Sequence, residues 1–120
     1  MRQCVIVLVT GMLLAGCAHR QPAPPTPYAD RLAAAKDIAD RPSRDQALHD
    51  IAVDAAAAPD VVAVREALKD IASSAVHDEA AEDAAVRLKQ SGQTRAALEV
   101  ASRITNGQKR DETMRELSER

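Results

Sequence analysis

Residues Leu88 to Ile104 read Leu-Lys-Gln-Ser-Gly-Gln-Thr-Arg-Ala-Ala-Leu-Glu-Val-Ala-Ser-Arg-Ile. The pair Ser91-Gly92 breaks a helix, because glycine takes the left-handed geometry that ends one without a Cβ clash. A second helix follows at once, with Ala97, Val100, Ala101 and Ile104 at three-four spacing. That spacing puts four apolar side chains on one helical face; a strand would alternate them. Two helices joined by so short a turn are antiparallel neighbours. The stretch therefore reads as a helical hairpin.

The same period runs outward from it. Leu32, Ala35, Ile38 and Ala39 make one face, and Ala47, Leu48, Ile51, Ala52 and Ala55 the next. Val61, Val64, Leu68, Ile71 and Ala75 follow, then the weaker stripe Ala81, Ala84, Ala85 and Leu88. Met114 and Leu117 close the series. Between the stripes stand helix breakers. Pro42 is followed by Ser43-Arg44-Asp45-Gln46, a capping-box pattern. Pro59-Asp60 suits a first turn, Ser73-Ser74 offers another cap, and Asn106-Gly107 reads as a stop. The expectation is six helices of about 11 to 15 residues each. They would pair as three antiparallel hairpins in an all-α domain.

The hairpins look repeated. Ile38, Ile71 and Ile104 recur at a constant interval. Asp37-Ile38-Ala39 returns as Asp70-Ile71-Ala72 after the same interval. Arg44-Asp45 with Leu48 and Ile51 returns, two intervals on, as Arg110-Asp111 with Met114 and Leu117. A period of about 33 residues holding two helices is the size of a tetratricopeptide unit. With its glycine and its Ala97-Leu98-x-x-Ala101 helix, the stretch Leu88 to Ile104 resembles degenerate tetratricopeptide-like repeats. The resemblance covers about residues 30 to 119 and implies a short solenoid with a grooved protein-binding surface. A plain six-helix bundle is the alternative.

The first 27 residues are of another kind. Arg2 is followed by the apolar run Cys4 to Leu14, then by small residues and Cys17. Charged, apolar and small, in that order, make an export signal. The run is roughly half the 20 residues a membrane span needs. Leu14-Ala15-Gly16-Cys17 resembles the lipobox of bacterial lipoproteins. That resemblance implies cleavage between Gly16 and Cys17, diacylglycerol on the Cys17 sulfur, and often palmitate-like acylation of its amine. It also implies an envelope location. In the Gram-negative lipoproteins that this chain resembles, aspartate after the cysteine favours inner-membrane retention, so Ala18 implies the periplasmic face of the outer membrane if the source is Gram-negative. In a Gram-positive cell the same anchor would hold the domain outside the cytoplasmic membrane. Residues 1–16 are then the signal peptide. Residues 17–27 are the lipidated cysteine and a linker with prolines at 22, 24, 25 and 27, which favours an extended chain. Residues 28–120 are the helical domain.

Composition narrows the function. Beyond the signal, 15 basic side chains face 18 acidic ones, a net charge of −3. That mild, evenly spread charge suits neither nucleic acid nor a polybasic lipid contact. Alanine supplies 25 of the 120 residues, and Tyr28 is the sole aromatic, so no aromatic wall exists for a flat cofactor or a base. With Cys4 removed and Cys17 lipidated, no thiol is left for a disulfide or a metal. Gly92 and Gly107 are the glycines beyond the signal, too few for a phosphate-cradling loop.

Few residues suggest chemistry. Asp45 and His49, one turn apart, read as a solvated pair for want of a third ligand. His77-Asp78-Glu79 suits the positive end of a helix. The acid-rich run Asp78-Glu79-Glu82-Asp83 reads as an exposed face, and Glu79, Glu82 and Asp83 are its candidate partner-binding residues. No catalytic residue, metal ligand or cofactor is assigned. The expected function is a membrane-anchored, non-catalytic protein-interaction or assembly module, pilotin-like, with a protein partner in the envelope. A bulk structural lipoprotein without a specific ligand is the alternative. A small hydrolase or metal-binding protein is the remote one.

Overall fold

A computed structural model describes residues 27–119, and across them the chain is helical with no strand. The signal segment, Gly16, Cys17 and nearly all of the linker lie outside the described residues. Six helices follow in order: α1 (Ala29–Lys36), α2 (Arg41–Ala57), α3 (Val61–Asp70), α4 (Ser74–Gln90), α5 (Thr94–Ala101) and α6 (Gly107–Ser118). None is long and apolar enough to cross a membrane.

The starts of the helices carry the repeat. The N-caps of α2, α4 and α6 are Asp40, Ser73 and Asn106, separated by the same interval as the three isoleucines. Each side chain accepts a backbone N–H from the first turn of its helix, donated by Ser43, Val76 and Lys109 respectively. Two sequence expectations are corrected here. The cap of α2 is Asp40 rather than Ser43, and Pro42 lies inside the first turn, where no donor is missed. Asn106-Gly107 starts α6 and does not stop α5, which already ends at Ala101. Asparagine is as good at an N-cap as in a left-handed stop, so the dipeptide alone cannot tell the two apart.

Gly92 does act as a stop. Its φ of 81° turns the chain, Gly92 N–H donates to the Lys89 carbonyl at 3.0 Å, and Gln93 N–H donates to Leu88 at 2.8 Å. These two bonds are the Schellman ending of a helix.

Long and short helices alternate. α2 and α4 have 17 residues each, while α3 and α5 have 10 and 8. α2 packs most extensively on α4 and α3, and α4 on α5. The tight hairpins are thus α2–α3 and α4–α5, with α1 and α6 as single helices on either side. A repeating unit therefore runs from a long helix to a short one.

Of the 22 buried core residues 12 are alanines, which lets α2 and α4 lie close. Leu48, Leu68, Leu88, Ile104, Val64 and Val100 are the large side chains that fill the space between. Each such side chain contributes roughly 1.5–3 kcal/mol when fully buried, against about 0.8 kcal/mol per alanine methyl group. Neighbouring units are also pinned at the surface by Lys36–Asp70 (2.8 Å) and Arg65–Glu99 (2.6 Å), each pair joining one short helix to the next. Exposed pairs of this kind add little energy, but they fix register.

Candidate functional site

Two aspartates tie one unit to the next. Asp45, on α2, is 1% exposed; its carboxylate accepts the N–H of Ala72 at 3.0 Å and of Ser73 at 2.9 Å. Asp78, on α4, is 5% exposed and accepts from Thr105 N–H (2.7 Å), Thr105 Oγ1 (2.8 Å) and Asn106 N–H (2.9 Å). Each carboxylate satisfies the donors just ahead of the following long helix, and so ends α3 and α5 where they end. Burial opposes ionisation of Asp78, but the bonds from Thr105, Asn106 and His77 prevail and bring its pKa down to about 2. Asp45 is therefore not a solvated partner of His49, and Asp78 does not belong to the exposed acidic face.

The other three acidic residues do share a face of α4. Asp83 meets His49 of α2, with Nε2 3.1 Å from Oδ2. Glu82 pairs with Lys109 of α6 at 2.6 Å, a bond that raises the lysine pKa. Glu79 is exposed beside them. On the far side of the ring, His49 Nδ1 lies 3.1 Å from Asp50, which Gln46 Nε2 also donates to at 3.0 Å. Burial works against a charged imidazole, yet the hydrogen bonds to Asp50 and Asp83 outweigh it, and the His49 pKa is raised above 6.5. The protonated ring, donating from both nitrogens, is what this pocket favours. The face is thus a junction of α2, α4 and α6 as well as an acidic patch.

His49, Glu79 and Asp83 offer ligand atoms that all lie within 4.8 Å of one another. These are the residues that could share a cation, in place of the Asp45–His49 pair considered from sequence. Both carboxylates are exposed, and Lys109 adds positive charge on the same face, so water serves them equally well.

Between α1 and α2 lies an open groove of about 480 Å³, lined by Ala34, Ala35, Ile38, Ala47 and Ile51, with Arg31 and Asp50 at its edges. Arg31 pairs with Asp54 at 2.9 Å and stacks on Tyr28. The stripes that form the groove are visible in sequence. That no other described helix packs across them is a property of the packing.

No family model, curated protein or solved structure matches this chain. The site is read from its own geometry.

Proposed function

We propose that this chain is a lipid-anchored protein of the bacterial envelope whose helical repeats form a non-catalytic protein-interaction module of the assembly-factor or pilotin kind. The observation that supports the module is the apolar-lined groove beside α1, across which no other described helix packs. The anchor rests on the lipobox ending at Cys17 and on the proline-rich linker that would hold the domain off the headgroups. Two or more acyl chains give a lasting hold where one is marginal. Glu79, Glu82 and Asp83 are the second contact candidate. A bulk structural lipoprotein is the competing reading, favoured by the ties that Glu82 and Asp83 already make within the domain.

The test is capture from membranes by crosslinking, with wild type, Cys17→Ser and a form reversed in charge at Glu79, Glu82 and Asp83. Wild type is expected to carry lipid mass on Cys17 and to capture one envelope protein in stoichiometric yield. Loss of tethering should weaken capture through loss of confinement to one surface. If no form captures a protein, the bulk structural reading replaces this one.

A further inference from the structure

The groove between α1 and α2 is one of three equivalent positions. Its lining includes Ala34, Ala35, Ile38, Ala47 and Ile51. One period along the chain stand Ala67, Leu68, Ile71, Ala80 and Ala84, all buried. After a second period stand Val100, Ala101, Ile104, Thr113 and Leu117, again all buried. At the first position Ala35 and Ile51 are buried too, but Ala34 is exposed, and Ile38 and Ala47 are only partly covered. The difference has a structural source. α2 lies against both α3 and α4, and α4 against both α5 and α6. Among the described residues no long helix lies in the same way against α1 and α2.

We infer that this groove receives an amphipathic α-helix of a partner protein, docked as an additional long helix of the repeat. The two helices that fill the equivalent positions define its chemistry. Their equivalent buried residues are Leu48, Ala52 and Ala55 in α2 and Ala81, Ala85 and Leu88 in α4. A partner helix therefore needs a stripe of alanine with an occasional larger aliphatic residue; bulky aromatics would hold it off. Arg31 stands where α3 and α5 carry the buried Val64 and Ala97, so the outer rim is polar.

Other occupants fit worse. In the processed chain residues 17–26 contain Pro22, Pro24 and Pro25, which lack the N–H a helix requires. A second copy would have to offer α6, whose outer face is the polar set Gln108, Asp111, Glu112 and Arg115, because α2 and α4 are in its core. This inference rests on the reading of the chain as a processed, protein-binding lipoprotein.

The probe is a fluorescein-labelled peptide of residues 41–57, the helix that fills the next groove. It is titrated with the lipidated mature chain in nanodiscs, and anisotropy is read. Saturable binding in the roughly micromolar range is expected. Ala34→Glu and Ala34→Gln, at an exposed position and with unchanged thermal melts, should each weaken it about tenfold or more. Glu112→Ala on α6 should leave it unchanged. Absence of saturable binding, or equal binding by wild type and both Ala34 variants, overturns the inference. So does binding that emerges only once residues 18–26 are deleted, or a doubling of protein mass with concentration in place of peptide binding. A photo-crosslinking residue placed in cells at Ala34 or at Glu79 separates the two readings. An adduct at Ala34 supports the groove. One at Glu79 alone overturns the groove and keeps the interaction module, and adducts at neither overturn both.

Discussion

Asp78 holds the start of α6 from within α4: its carboxylate accepts the N–H of Asn106 at 2.9 Å. Asp45 does the same for Ser73, also at 2.9 Å. Asp111, at the next equivalent position, keeps its side chain 80% exposed and meets no such loop among the described residues. Alanine at Asp45 or Asp78 takes the carboxylate away from at least two backbone donors, and each substitution should cost about 1.5–3 kcal/mol. Asp111→Ala should cost less than about 0.5 kcal/mol. Urea melts of the three variants check this contrast, and equal losses would show that the inter-unit caps do not matter.

Acid stability should report Asp78. Its pKa falls from 3.8 unfolded to about 2 folded, so the stabilisation is complete above 3.8 and disappears as pH drops through about 2. By linkage the difference amounts to about 2 kcal/mol. In denaturation between pH 5 and pH 2, Asp78→Asn should be less stable at the start and show a shallower loss than wild type.

His49 should work in the opposite direction. Its folded pKa is raised above 6.5, so its contribution is fully present below 6.5 and fades as pH climbs through the folded value. Wild type should therefore lose some stability between neutral and mildly alkaline pH. His49→Gln should flatten that slope, and NMR titration of the imidazole gives the pKa directly. A ring that titrates below 6.5 would contradict the bonding to Asp50 and Asp83.

With so many alanines inside, the few large aliphatics carry the core. Leu68 is 1% exposed, and Leu68→Ala should cost roughly 2–4 kcal/mol. Val86 is only partly covered, off the main stripe of α4, and its truncation should cost under about 1 kcal/mol. Chemical denaturation of both variants decides whether the facing of α3 and α4 is right.

Gly92→Ala isolates a backbone effect. The φ of 81° disfavours any side chain, yet a Cβ there meets nothing within 4 Å. The substitution should cost about 1–2 kcal/mol from conformation alone. Asparagine, which tolerates that geometry better, should recover part of it in the same thermal melts.

The helical period was legible because each buried face is a contiguous three-four stripe, as in Val61, Val64 and Leu68 of α3. The repeat was legible in Ile38, Ile71 and Ile104, of which the last two close the core just beyond their helices. What sequence could not reveal was the role of Asp45 and Asp78. A carboxylate amid Glu79, Glu82 and Asp83 looks like surface, and only the meeting of α4 with the 105–106 turn makes Asp78 internal. Comparing equivalent positions of α2, α4 and α6 would have flagged the recurring aspartate. The same limit hid the groove beside α1. Its lining resembles every other stripe in the chain, and which stripe stays open depends on what packs across it.

The spacing between each buried aspartate and the donors it satisfies, 27 and 28 residues in both units, acts as a ruler. Loss of one residue from within α3 or α5 would turn the rest of that helix by about 100° and pull the next turn's donors away from the carboxylate. Loss or gain of a whole repeat unit keeps every carboxylate matched to a turn. Length in this architecture is therefore quantised, and change in whole units is the route by which such a chain can grow or shrink without first falling apart.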